Sequence, residues 1–213
     1  MKIRAALATA ALLATGVATY ADAAAKPKPV CKNLTDDKGD VVFAQASNAT
    51  AYEDEALDIV SADLGSNAKT ITAAIRVAKL AVPAATSAAT TYELRFSLPA
   101  GDPVFVLWAN VPASGAAATY GVGTVGDPTG QATVDLATST GTATGTIDLA
   151  KSEIRISAPL SAIAGAKNGQ KVGLDQAVAK RTVPGQYYGR FADDGAGGKR
   201  YVLGTLSCVK PGA

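Results

Sequence analysis

The residue types that are missing limit the chemistry first. The 213-residue chain has no histidine, and its single methionine is Met1. Ser-His and Cys-His nucleophilic catalysis therefore have no base, and a His-based zinc site has no ligand. Nor does the chain beyond Met1 offer His or Met to a haem iron, so no haem partner is expected. Carboxylate chemistry remains. Asp36, Asp40, Glu53, Asp54, Glu55, Asp193 and Asp194 are candidates for the two acids that glycoside hydrolysis sets across a cleft. Their spacing does not itself place any two of them opposite one another.

The densest acidic group is Asp36-Asp37-Lys38-Gly39-Asp40. Aspartates around a glycine turn supply the oxygen ligands that Ca²⁺ prefers. Asp36 and Asp40 precede a first strand, and Asp58 opens the next hairpin. These three are the candidate ligands of a structural calcium, with Asp54 and Glu55 just upstream. The segment is too short for an EF-hand loop, and a solvated polar turn is the competing reading. No other cofactor is expected.

Large aromatics are the other candidates, because exposed rings serve carbohydrate modules as stacking platforms. Trp108 lies among Val104, Phe105, Val106 and Leu107, which predicts core packing. In "GQYYGRF" a strand would send Tyr187 and Tyr188 to opposite faces, presenting one of them outward. Tyr187 and Tyr188 are therefore the candidate ligand-binding residues. Three short motifs read as chance. "GVGTVG" at Gly121–Gly126 lacks the following helix that a dinucleotide site requires. "SNAK" at Ser66–Lys69 lies on a turn, without the other elements of penicillin-interacting enzymes. "NLT" at Asn33 and "NAT" at Asn48 match the glycosylation sequon, but the leader has a bacterial look.

That leader is "MKIRAALATAALLATGVATYADAAA". Lys2 and Arg4, an apolar run and the small residues Ala21, Ala23 and Ala25 predict a cleaved secretory signal peptide over 1–25, with cleavage after Ala23 or Ala25. A linker over 26–30, one domain over 31–208 and a tail over 209–213 follow. No other apolar run predicts a membrane span, and the expected location is extracellular. In an exported chain, Cys31 and Cys208 read as one disulfide. Net charge is +2, and +1 once Lys2, Arg4 and Asp22 leave, so there is no basic stripe for nucleic acid.

The elements that must position these residues read as strands. In "DEALDIVSADLGSNAKTITAAIRVAKL", Ile71, Ala73, Ile75 and Val77 alternate with Thr70, Thr72, Ala74 and Arg76, the pattern of a half-buried strand. Leu57, Ile59 and Ser61 form the facing arm, and Gly65-Ser66-Asn67 the turn. "VVFAQA", "TYELRFSL", "VFVLWANV", "TYGVGTV" and "QATVDLAT" read as further strands. "ATGTIDLAKSEIRISAPL" is a second hairpin, and "SAIAGA" is at most one helical turn. Many short strands with regular turn signals predict an all-β, antiparallel, jelly-roll-like sandwich.

"CKNLTDDKGD", "ALDIVSADLGSNAKTITAAIRVAKL" and "GTATGTIDLAKSEIRISAPLSAIAG" resemble secreted β-sandwich proteins of high-GC Gram-positive bacteria. They are distantly similar to the DOMON-like superfamily, which includes family-nine carbohydrate-binding modules. Asp36, Gly39 and Asp40 match the opening of that pattern, with Asp37 where proline is usual, and Asp58 matches its hairpin acid. The resemblance implies a jelly-roll-like sandwich that binds sugar, haem or metal. The first functional expectation is a non-catalytic secreted binding domain for a glycan or cell-envelope polymer. The second is an extracellular structural or protein-interaction domain. The third is a His-free carboxylate hydrolase.

Overall fold

The structure, a computed structural model, describes residues 28–45, 48–51, 53–83, 89–99, 103–113, 115–125, 137–182 and 189–212. In chain order the strands are β1 Leu34–Thr35, β2 Val42–Gln45, β3 Asn48–Ala51, β4 Ile59–Ser66, β5 Thr70–Val77, β6 Thr90–Ser97 and β7 Val104–Val111. After them come β8 Thr119–Val125, β9 Ala137–Thr142, β10 Thr144–Asp148, β11 Glu153–Pro159, β12 Lys171–Thr182, β13 Gly189–Ala196 and β14 Arg200–Val202. "SAIAGA" gives only the single 3-10 turn Leu160–Ala162, and no α-helix is present among the described residues. No described helix is long and apolar enough to cross a membrane.

Two sheets pack face to face, and every ladder is antiparallel. The smaller runs β1-β4-β5-β11-β10. The larger runs β3-β2-β13-β12-β6-β7-β8-β9, with β14 also paired to β12. The all-β sandwich read from the sequence is the fold. Its core follows from strand alternation. Ile71, Ala73 and Ile75 of β5 and Ile154 and Ile156 of β11 face Tyr92, Leu94 and Phe96 of β6 and Phe105 and Leu107 of β7. Phe96 and Phe105 stack with centroids 5.9 Å apart.

The β4–β5 hairpin forms as read, with two differences. A register shift between Ile59 and Ser61 reverses the alternation, so Ala62 and Leu64 join Ile59 in the core while Ser61 and Asp63 face outward. A bulge inserts one residue, and one residue is enough to exchange faces. The turn also lies later than expected. Gly65 and Ser66 are still strand, and Asn67 closes the turn by accepting the Lys69 and Thr70 N–H groups through Oδ1.

Cys31 and Cys208 form a disulfide with Cα atoms 5.2 Å apart. Val209 is buried, and the Gly212 N–H donates to Thr72 Oγ1 at 3.1 Å. Gly65 has no room for a Cβ because the Val209 carbonyl lies against it. Asn33, of the first sequon, is buried and accepts the Leu64 N–H, so that sequon is not open to modification.

Candidate functional site

The outer face of the larger sheet carries the polar residues. On β6, Tyr92, Leu94 and Phe96 enter the core, so Glu93, Arg95 and Ser97 stand on the opposite face. Register sets Trp108 and Val178 on either side of Glu93, with Val106 and Gln176 flanking Arg95. Arg95 donates from Nε (3.0 Å) and Nη2 (2.7 Å) to Glu93 Oε2, and from Nη1 to Gln176 Oε1 at 3.1 Å. Lys180 Nζ lies 2.6 Å from Glu93 Oε1. One carboxylate thus holds two cations. Arg95 is 1% exposed and Glu93 5%, so water screens this cluster little.

Trp108 belongs to this face, not to the core. This corrects the expectation from its apolar neighbours. The run "VFVLWANV" is apolar on both faces of β7, but only Phe105, Leu107, Ala109 and Val111 enter the core between the sheets. Trp108 is half-buried and lies against Gly121 of β8, where an added Cβ would overlap the indole. The first glycine of "GVGTVG" is therefore a seat for a ring. One position along the same face, Asn110 Oδ1 is shut from solvent and has no hydrogen-bond partner among the described residues.

The face ends in a groove of about 570 Å³, lined among others by Ser97, Leu98, Lys171, Leu174, Asp175 and Arg200. A bulge builds it. The β12–β6 register shifts between Leu174 and Gln176, leaving Asp175 as the extra residue. Bulges re-aim side chains, and Asp175 Oδ1 accepts a hydrogen bond from Ser97 Oγ at 3.1 Å. Partial burial raises the Asp175 carboxyl above its ordinary value, and the Ser97 bond draws it back down. Gly198 in the β13–β14 connection packs directly on Leu174, whose Cβ would be 2.7 Å from a Cβ there.

The residues singled out in the sequence are placed differently. Tyr187 and Tyr188 lie outside the described residues. Asp58 is buried at 6% exposure. Its Oδ2 accepts the Gly39 N–H at 3.1 Å, and its Oδ1 has no hydrogen-bond partner among the described residues. Burial, then the charges of Asp40 and Glu55, raise its carboxyl, while the Gly39 bond opposes them. Asp36 turns elsewhere, with Oδ2 against Gly195 of β13 and Oδ1 accepting the Asp37 N–H at 3.1 Å. Among the described residues no group of three or more His, Cys, Asp or Glu side chains is arranged to hold a metal ion. Glu53, Asp54 and Glu55 line a shallow depression of about 450 Å³ with Lys79. There Asp54 is held by Arg181 at 2.6 Å and by the Ala56 N–H at 3.0 Å, the geometry of an anchor rather than a free acid.

A scan against protein-family models and a search of the curated proteins each found no match. Sequence reasoning missed Arg95, Lys171, Asp175 and Arg200. Arg95 had a signal, since Glu93 and Arg95 alternate with Tyr92, Leu94 and Phe96. Asp175 had none, because its position depends on a bulge.

Proposed function

We propose that the protein is a secreted, non-catalytic binding domain whose larger sheet takes a glycan or cell-envelope polymer on its outer face. The carrying observation is Trp108 seated on Gly121 beside the Glu93–Arg95–Lys180–Gln176 cluster, with the Asp175 groove on the same face. A partly open ring offers an apolar stacking surface. Side chains fixed by mutual hydrogen bonds lose little entropy when hydroxyl groups meet them. A distant kinship with DOMON-like sandwich modules belongs to the same proposal and rests on the short stretches quoted above. Among the described residues the large apolar side chains that remain exposed, Val30, Val82, Leu149 and Leu206, are single residues apart from the adjacent Val30 and Leu206. They favour a protein-docking surface less than the polar face favours a glycan.

The test is co-sedimentation with insoluble polysaccharides and peptidoglycan. Retention of the wild type on at least one polymer is expected, with Trp108→Ala released at least tenfold more readily while keeping the wild-type circular dichroism. Retention on none of the polymers, or equal retention of Trp108→Ala, would sink the proposal.

A further inference from the structure

We infer that the polymer held on this face is anionic: its sugar hydroxyls meet Ser97 and Asp175, and its carboxylate or phosphate groups meet Arg200 and Lys171. This rests on the proposed binding function and narrows its ligand class.

Gly173 is paired with Ser97 of β6 on one side and with Arg200 of β14 on the other. Residues paired across a sheet share a face, so Ser97, Gly173 and Arg200 form one row. Lys171 lies two positions from Gly173 along the same strand and therefore on the same face. Gly173 has no side chain, which leaves a trough between two unlike banks. One bank carries the Ser97 hydroxyl and the Asp175 carboxylate, already bonded to each other. A Cβ on Gly173 would meet Asp175 Oδ1 at 3.4 Å and Ser97 Oγ at 3.5 Å, so both atoms line the trough itself.

The other bank carries Arg200 and Lys171. Both are exposed, and neither has an ion-pair partner among the described residues. Such guanidinium and ammonium groups recognise carboxylate and phosphate. Along the strip as a whole, Arg95, Lys180, Lys171 and Arg200 face the carboxylates of Glu93 and Asp175. The inner cations are taken up by Glu93. The trough itself holds two cations, Lys171 and Arg200, against the single carboxylate of Asp175. From Glu93 to Ser97 the strip runs about 13 Å at strand rise, longer than one sugar ring, which suits a chain rather than a monosaccharide.

The experiment is affinity electrophoresis and titration calorimetry of the full chain. The probes are polygalacturonate as the carboxylate polymer, a polyol-phosphate polymer, and pullulan and a soluble β-glucan as neutral controls. Binding to one or both acidic polymers is expected, weakening as salt is raised and falling at least tenfold in Lys171→Gln/Arg200→Gln. Gly173→Val, which fills the trough, should lose binding as well. If the double variant does not fold, Lys171→Gln alone should weaken binding severalfold at unchanged melting temperature. The ratio between the two acidic probes tells carboxylate from phosphate, and either supports the inference. Binding of neutral polymers with no preference for acidic ones overturns it and leaves the proposed function standing. Binding of none of the four overturns both.

Discussion

Both sheets carry an ion network on their outer face, and the two faces end differently. On the smaller sheet Arg76 reaches Asp63 at 2.6 Å and Glu153 at 2.8 Å, and Arg155 takes the other Glu153 oxygen at 2.6 Å. The remaining Asp63 oxygen accepts the Asn33 N–H at 2.9 Å, and Thr72 and Ser157 pair at 2.9 Å. The C-terminal segment closes this face, with Ser207 bonded to the Leu64 carbonyl at 2.8 Å and Val209 against Gly65. Each carboxylate oxygen in that network has a partner within the chain. On the larger sheet the cluster around Glu93 is equally buried, but at its Ser97 end it runs out into a trough with two cations that have no ion-pair partner among the described residues. The smaller face keeps its charges paired within the chain, although the buried Asn33 Nδ2 has no hydrogen-bond partner among the described residues. The larger face leaves two exposed cations without an ion-pair partner among the described residues, and such groups suit a ligand from outside the chain.

The contrast predicts opposite responses to charge removal. Asp63→Ala leaves Arg76 without one of its two carboxylates and the Asn33 N–H without an acceptor, and should cost about 3–5 kcal/mol in urea unfolding. Arg200→Gln on the other face should change stability by less than about 0.5 kcal/mol. Equal losses would mean that the trough cations are structural after all.

Next in size is the closure of the smaller face. Cys208→Ser should lower stability by about 2–4 kcal/mol, because the bridge joins residues 177 apart and anchors the C-terminal segment. Hydrogen exchange should then speed up first at β4 and β5, under that segment. Uniform loss of protection across both sheets would show that the segment is not a separate cover.

Gly121→Val is a local probe of the larger face. A side chain there would displace the Trp108 indole, at a cost of about 1–3 kcal/mol for overpacking. Trp108 is the sole tryptophan, so intrinsic fluorescence reports on it directly. A red shift and lost polymer retention are expected together. Retention unchanged despite a shifted spectrum would remove Trp108 from the binding face.

The same comparison shows what the sequence can carry. The hairpins of β4–β5 and β10–β11 were readable because β-branched and apolar residues alternate within each arm, a local pattern set by strand geometry. The sandwich followed from the number of such arms. The details that make the site were not readable, because each depends on a long-range partner or a single inserted residue. Asp63 faces outward only because of the shift between Ile59 and Ser61. Asp175 reaches Ser97 only because β12 bulges against β6. Trp108 leaves the core because Leu107 and Ala109 on either side of it enter the core, and an apolar run on both faces of β7 gave no sign of which alternate set would do so. The acidic run at 36–40 was conspicuous because it is contiguous, yet its side chains part company in space.

The smallest expected effect concerns Asp58, at the junction between the two sheets' leading segments. Its carboxyl is raised in the folded protein by burial and by Asp40 and Glu55. A raised acid binds its proton more tightly folded than unfolded. Its contribution to stability is therefore present below the unfolded value of 3.8 and is lost as pH rises through the folded value. Asp58→Asn keeps an oxygen for the Gly39 N–H and removes the charge. The melting temperature of the variant relative to wild type should accordingly rise across that window and level off above it. The same scans in CaCl₂ and in chelator test the calcium reading of Asp36, Asp40 and Asp58. An ion bound there would raise the wild-type melting temperature at neutral pH by mass action and leave Asp58→Asn unmoved. Coincident wild-type curves in the two buffers, with the variant still more stable at neutral pH, would identify the segment as a polar turn whose one buried carboxylate is held in place by the Gly39 amide.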